Sequence, residues 1–344
     1  MRLLVSGLIN SKTSLGEAVR RNIKCFETFT SYDIYDFNEF ITNRELYHEY
    51  YKSNASGKYD VKYFHLTFDI WNKIKKETAH VKRLPNKKIG YFVWESTELS
   101  KMQQDCLYDF DEIWTASNYC RDIFSQYYNA ENIHVIPHPI EIFDTDKKFD
   151  TFTILCSGNI SSHIERKNIL NNLKTALRFA EGKKVNIIFK TLTASNEERR
   201  LISQLDSSKI TIIDRYMTSE EMFRLISKCH VFLSLHRSEG FGMVLAEAMA
   251  CKTHVVATGY SGNVDFMQTN HKYLVDYKLV YIDDKRFKGQ WAEPDYDHAI
   301  SLLEYLYNND DTETLLQNNE YIINNNSIIT IAEKMKERIY RRDN

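Results

Sequence analysis

The stretch SEGFGMVLAEAMA, Ser238 to Ala250, decides how this chain is read. It sets two carboxylates, Glu239 and Glu247, eight residues apart, with Gly240 and Gly242 between them. Glycine has no Cβ, so the backbone can approach a ligand closely at both positions. From about Met243 the residues are good helix formers, which predicts a helix starting there. Its first N–H groups, from Phe241 to Met243 and Val244, have no helical partner and face the preceding loop. Such an end is a ready phosphate site. Glu239 stands before the turn, and Glu247 stands about one turn inside the helix. A carboxylate accepts through two oxygens, which suits the paired hydroxyls of a sugar or a ribose. The spacing therefore predicts a pocket for a sugar carried on a nucleotide diphosphate.

Outward from this motif, apolar strand-like runs alternate with helical ones, the pattern of an α/β chain with parallel sheets. The second half reads as strands TFTILCSG, VNIIFKT, ITIID, VFLSL, THVVAT and LVYI. The first half gives RLLVSG, VKYFHL, KIGYFVW, EIWTAS and IHVIP. The charged stretch from Pro139 to Phe149 lies between the two series and reads as a linker. These features divide the chain into a domain over 1–145 and a second over 150–326, with the helix 327–344 completing the first. The polar, tyrosine-rich segment from Asn38 to Lys58 has no assignment.

Ligands of open α/β sheets bind beyond the carboxyl ends of the strands. Gly158 and Asn159 follow one such strand, and Arg166 and Lys167 come shortly after. Lys190 ends the next strand, while His236 and Glu239 follow VFLSL. One edge of the second domain would thus present cations and helix N-termini, a sensible place for a pyrophosphate.

The Glu–Gly-aromatic-Gly–Glu string resembles the retaining glycosyltransferases of family 4. The longer SLHRSEGFGMVLAEAMA, with VVATGYSGNVDFM, is similar to a bacterial branch of that family, as are GYFVWESTELS, FDEIWTASNYCRDIF and IHVIPHP. The resemblance runs from roughly residue 89 to 300. It implies a GT-B fold, two Rossmann-like domains facing each other across a cleft. It further implies transfer of a hexose from a nucleotide-diphosphate sugar to a glycan or lipid-linked saccharide, as in lipopolysaccharide, O-antigen or capsule assembly. In this reading Glu247 holds the ribose and Glu239 the transferred sugar. Lys167, Lys190 and the N–H groups at the helix start hold the diphosphate. The family usually has an arginine where this chain has Asn159, so Lys190 or Arg166 is expected to supply the missing charge. Gly16 stands where relatives carry a glycine-rich loop. A first-domain histidine commonly contacts the transferred sugar. Here His65 competes for that role with Glu95, which follows Trp94 at a strand end. His138 reads as structural.

The net charge of −2 over 344 residues argues against bulk nucleic-acid binding, which needs a basic footprint. Six cysteines without metal-ligand spacing read as reduced thiols of a cytosolic protein. The start of the chain is too short and interrupted for a signal peptide. No run approaches a membrane span. The expected location is cytoplasmic, with attachment at the inner membrane face left open.

Two Asp-x-Asp strings, at Asp109–Asp111 and Asp144–Asp146, offer a metal-dependent alternative. Neither sits by a visible phosphate site, so no metal and no cofactor is expected. The remaining rivals are a non-catalytic nucleotide-sugar-binding module and a GT-B epimerase or phosphorylase.

Overall fold

A computed structural model describes residues 1–37, 51–75, 87–158, 164–192, 200, 203, 207–268 and 272–341. The chain divides into two compact units, Met1–Pro139 with Asp284–Lys288 and Asn325–Asn344, and Ile140–Asp283 with Gly289–Asn324.

In the first unit, apolar runs become the strands β1 (Leu3–Gly7), β2 (Tyr32–Asp36), β3 (Val61–His65), β4 (Lys87–Tyr91), β5 (Glu112–Thr115) and β6 (Ile133–Val135). Every residue of β1, β3 and β5 is buried, as strands covered on both faces must be. The sheet order is β2-β1-β3-β4-β5-β6, with all pairs parallel. Helices α1 (Ser14–Glu27), α2 (Phe68–Ile74), α3 (Lys101–Leu107) and α4 (Asn118–Phe124) form the connections. Each begins at a serine or threonine whose side chain accepts a first-turn N–H: Thr13, Thr67, Ser100 and Ser117. At Ser100 the bond is reciprocated by Gln103 in a capping box.

The second unit contains β7 (Phe152–Ser157), α5 (Ile164–Lys167), α6 (Ile169–Phe179), β8 (Val185–Thr191), β9 (Ile210–Asp214), α7 (Ser219–Lys228), β10 (Val231–Ser234) and α8 (Met243–Ala250). There follow β11 (His254–Thr258), α9 (Val264–Met267), β12 (Leu274–Val275), β13 (Tyr277–Tyr281), β14 (Gln290–Pro294), α10 (Tyr296–Asn308) and α11 (Thr312–Asn326). The main sheet runs β12-β11-β10-β7-β8-β9, again all parallel. Counted within the unit, this is the strand order of dinucleotide-binding Rossmann folds. Leu173, Ala176 and Phe179 of α6 and Leu303 of α10 pack against Ile154, Ile187 and Leu233 of the sheet to make its core.

The last helix, α12 (Ile328–Tyr340), returns to the first unit and packs on α1. Ile331, Ala332, Met335 and Ile339 are buried. A charge cluster fixes its far end. Glu112 Oε1 lies 2.6 Å from both Lys87 Nζ and Arg338 Nη2, and Trp114 Nε1 donates to Oε2 at 3.0 Å. Burial alone would raise the Glu112 carboxyl, but Lys87, Trp114 and Arg338 more than offset it and hold it low. Glu112→Ala would leave two cations facing each other, so it should cost about 3–5 kcal/mol. A carboxyl held low stabilises the fold fully above the ordinary carboxylate range, and that contribution is lost as pH falls from there through the lowered value. Thermal unfolding across that range should therefore show a smaller acid-induced loss for Glu112→Ala than for the wild type.

Three sequence expectations change. The run LVYI belongs to β13, which pairs antiparallel with β14 in a separate ribbon; the short β12 closes the main sheet instead. The strand β2 went unread because its YDIYD composition is half polar. It is a sheet edge, held by pairing along β1 and by Asp36 accepting from Ile9 N at 2.8 Å. The stretch read as a linker is bonded to the second unit: Asp146 N donates to Ser227 Oγ and Lys148 Nζ to the Cys229 carbonyl. Of the unassigned segment, 38–50 lies outside the described residues. Residues 51–58 carry no regular structure, and Tyr51 N donates to Asn10 Oδ1.

Candidate functional site

In the second sheet, β7 and β10 are neighbours from which the chain leaves in opposite directions. Loops that diverge like this open a crevice at the carboxyl edge, where ligands of such sheets bind. Arg166 and Lys167 come from the β7 side, and His236 and Glu239 from the β10 side.

Local bonding explains how these residues meet. Asn172 in α6 donates to the Leu233 carbonyl and accepts from Leu235 N, so its side chain takes over where β10 stops pairing. Asn168 adopts a left-handed conformation (φ 52°) that turns α5 into α6, and its carboxamide donates to the Leu235 carbonyl at 2.8 Å. Asparagine tolerates this backbone region better than most residues. Lys167 and Arg166 are thereby set beside Glu239. Lys167 Nζ lies 2.5 Å from Glu239 Oε1, and Arg166 Nη1 lies 3.4 Å from Oε2 while donating to the Ser238 carbonyl at 2.7 Å. The Glu239 side chain is only 12% exposed. Burial alone would raise its carboxyl, but Lys167 and then Arg166 outweigh it and hold the carboxyl at about 2. Glu239 is therefore ionised at neutral pH.

A second loop, Gly259–Asn263, braces this turn. Ser261 Oγ accepts from Glu239 N, and Gly262 N donates to the Glu239 carbonyl, both at 2.8 Å. Gly240 and Gly262 pack so closely that a Cβ on Gly262 would sit 2.3 Å from the Gly240 oxygen. Gly242 has φ 89°, the left-handed region that glycine adopts without strain, and it leads directly into α8. The helix thus starts at Met243, as the sequence predicts, with its N-terminus at the glycine turn. Phe241 is buried, its ring packed on Phe266 at 5.1 Å. Met243, Val244 and Glu247 are half-buried on α8.

The other sequence candidates are placed as follows. His236 is fully buried next to Glu239 and Asn263, and neither ring nitrogen makes a well-formed hydrogen bond. Burial pulls it down to about 4 against the opposing pull of Glu239, so it is a neutral imidazole. Lys190 is the penultimate residue of β8, opposite Ser157 at the end of β7, and its carbonyl accepts from Gly158 N. Its ammonium donates to the Thr191 carbonyl at 2.6 Å, and burial lowers it to about 8 against Asp214. Its charged neighbours are Asp214, Arg215 and Glu221 rather than Glu239. Asn159 lies outside the described residues.

In the first unit, Gly16 is buried in the first turn of α1. Glu95 is half-buried just past β4. His65 is 1% exposed, packed against Tyr91 and stacked near His138, with Asn22 on its Nδ1. The expectation that His65 touches a sugar is thus at odds with a ring enclosed by core side chains. Asp109 Oδ2 is occupied by Trp71 Nε1 and Asp111 Oδ2 by Lys88 N. Among the described residues no group of three or more His, Cys, Asp or Glu could hold a metal ion. No helix among them is long and apolar enough to cross a membrane. The six cysteines are buried and unpaired with one another.

Sequence reasoning missed Arg237. Its backbone N donates to the Arg166 carbonyl, its Nη1 to Glu165 and its Nε to Glu293 Oε2, each at 2.8 Å. It therefore ties the Glu239 loop to α5 and to β14. The residue lay within a quoted motif, but nothing in the string reveals that its partners are 72 and 56 positions away.

The fold has counterparts among known proteins. The lipopolysaccharide outer core galactosyltransferase WaaB superposes over 99% of both chains, with a TM-score of 0.65 at 13% identity. A point mutant of S. aureus TarM, solved with fondaparinux, alpha-GlcNAc-glycerol and UDP, matches 82% of this chain and 55% of its own, with a TM-score of 0.63 at 17% identity. The fold is GT-B, built from two Rossmann-like α/β domains. Residues 151–281, which contain the Glu239 site, match the family described as glycosyl transferases group 1. ORF330 of Acidianus filamentous virus 2 (isolate Italy/Pozzuoli), named as an inferred glycosyltransferase, is 26% identical over 202 residues. That match covers 55% of this chain and 56% of the viral protein, so it spans about half of each.

Proposed function

We propose that the protein is a retaining glycosyltransferase that moves a hexose from a nucleotide-diphosphate sugar to a glycan or glycolipid. The observation that carries this reading is Glu239, ionised and mostly buried between Lys167 and Arg166 where α8 begins. A permanent carboxylate there accepts sugar hydroxyls. The adjacent ammonium of Lys167 and the helix N-terminus are donors for the phosphates. Aimed at the departing diphosphate, they stabilise the charge that grows on it as the glycosidic bond breaks, commonly the largest catalytic term. Glu247, inside the same helix, is assigned to the ribose. With departure and attack on one face, a leaving-group oxygen takes the acceptor proton and no carboxylate nucleophile is needed. The activity of WaaB on the lipopolysaccharide outer core favours an acceptor in a cell-surface polysaccharide.

Protein cations do the work of a divalent ion in this scheme. Turnover should therefore persist in excess chelator; its abolition, with rescue by manganese, would return the role to an acidic metal site.

The two lysines are distinguishable. Lys167→Met should weaken nucleoside diphosphate binding about tenfold or more, the scale of one charged hydrogen bond. Lys190 loses its proton as pH rises through about 8. If it contacts the diphosphate, calorimetric affinity should fall over that range in the wild type and stay flatter in Lys190→Met. An unchanged pH profile in Lys190→Met would remove Lys190 from the site.

The reading itself is tested by thermal shift against a panel of nucleotide sugars. A true donor raises the melting temperature by mass action. No shift from any of them would count against it.

A further inference from the structure

We propose that the outer face of α3 and the turn after α4 form a groove for a neutral glycan chain, built from none of the residues assigned to the donor. The groove is open to solvent and offers about 410 Å³ at the protein surface. Lys101, Gln104 and Tyr108 follow one another at helical spacing along one face, and Ser125, Gln126 and the tyrosine pair at 127–128 form the other wall.

The lining chemistry selects the ligand. Tyr108 is 68% exposed, yet its position is fixed. Its hydroxyl donates to the Tyr127 carbonyl at 2.7 Å, and its ring meets that of Tyr128 edge-on at 5.5 Å. Tyr128 is in turn anchored by its hydroxyl on the Phe110 carbonyl at 2.8 Å. Pre-set tyrosine rings give a large contact area at little entropic cost. The C–H face of a sugar packs on such a ring. Gln104 Nε2 donates to the Leu99 carbonyl, and Gln126 Nε2 and Ser125 Oγ donate to the Asp122 carbonyl, so the oxygens of these side chains serve as acceptors for sugar hydroxyls. Among the described lining residues the one charged side chain, Lys101, is paired with Asp105 at 2.9 Å. That lining has no cation cluster and no carboxylate to favour a phosphate or a metal.

Topology separates this groove from transfer chemistry. Tyr108 leads into the start of β5, and residues 125–128 lead towards the start of β6. The groove therefore lies at the amino edge of the first sheet, whereas reacting ligands sit at carboxyl edges. On the proposed function, it suits a stretch of a long acceptor or product other than the one at the carboxyl edge of this sheet.

The experiment reads binding without turnover, so its outcome is independent of the transferase reading. The purified full chain is applied to an array of neutral oligosaccharides with saturating UDP present. Dissociation constants of the best-bound glycan are then measured for wild type, Tyr108→Ala, Gln126→Ala and Tyr108→Phe. We expect binding that persists with UDP. Tyr108→Ala should weaken it about tenfold or more, and Gln126→Ala less, in folded proteins. Tyr108→Phe, which keeps the ring but loses the bond to the Tyr127 carbonyl, should bind between wild type and Tyr108→Ala. No neutral glycan bound, displacement by UDP, or equal affinity in Tyr108→Ala would each overturn the proposal.

Discussion

Glu239→Gln is expected to lower glycosyl transfer at least about tenfold, because one charged hydrogen bond contributes roughly 1.5–3 kcal/mol. The amide keeps the shape and one acceptor but removes the charge that Lys167 and Arg166 surround. Left unpaired, Lys167 would also be placed less definitely for a phosphate. The sign of the pH effect follows from the carboxyl held at about 2. Its stabilising contribution is complete above the ordinary carboxylate value and disappears as pH falls towards about 2. The variant lacks that contribution, so its melting temperature should change less over the same acidic window. Transfer is to be compared at a temperature where both proteins are folded. Wild-type turnover in folded Glu239→Gln would remove this residue from the site.

Gly262→Ala should damage the site from outside it. The new Cβ would lie 2.3 Å from the Gly240 oxygen and 2.7 Å from the Phe241 N, both backbone atoms with no rotamer to relieve the clash. Either the loop 259–263 or the turn 239–242 must move. Overpacking of this kind costs about 1–3 kcal/mol. The same movement breaks the bonds from Gly262 N and Ser261 Oγ that hold the Glu239 backbone. A lower melting temperature should therefore accompany weaker donor binding. Wild-type donor affinity in this variant would mean that the brace does not position Glu239.

The parts of this site legible in sequence were those coded by local rules. Gly240, Gly242 and the helix formers after Met243 announced a tight turn into a helix, and α8 begins there. Alternating apolar runs announced two parallel sheets, because buried parallel strands need unbroken hydrophobic stretches. The illegible parts depend on distant partners. Arg166 looked like a phosphate ligand but donates to the Ser238 carbonyl beside Glu239. Lys190 was placed correctly at a strand end, yet its field is set by Asp214 on the neighbouring strand. His65 was a candidate for sugar contact at the end of a strand, but its ring is buried against Tyr91 and His138. The string GYSGN gave no hint that Ser261 and Gly262 brace the Glu239 turn, since that contact exists only once the strands β10 and β11 lie side by side.

The central claim is transfer from a nucleotide sugar, and it is tested most directly by following both products. The full chain is incubated with nucleotide sugars and a set of glycan and glycolipid acceptors; released nucleoside diphosphate is quantified and the new linkage is read by NMR. The account predicts equal amounts of nucleoside diphosphate and glycosylated acceptor, with the anomeric configuration of the donor preserved and both signals lost in Glu239→Gln. Inverted configuration would contradict the retaining mechanism, and no release from any donor–acceptor pair by folded protein would contradict the transferase itself.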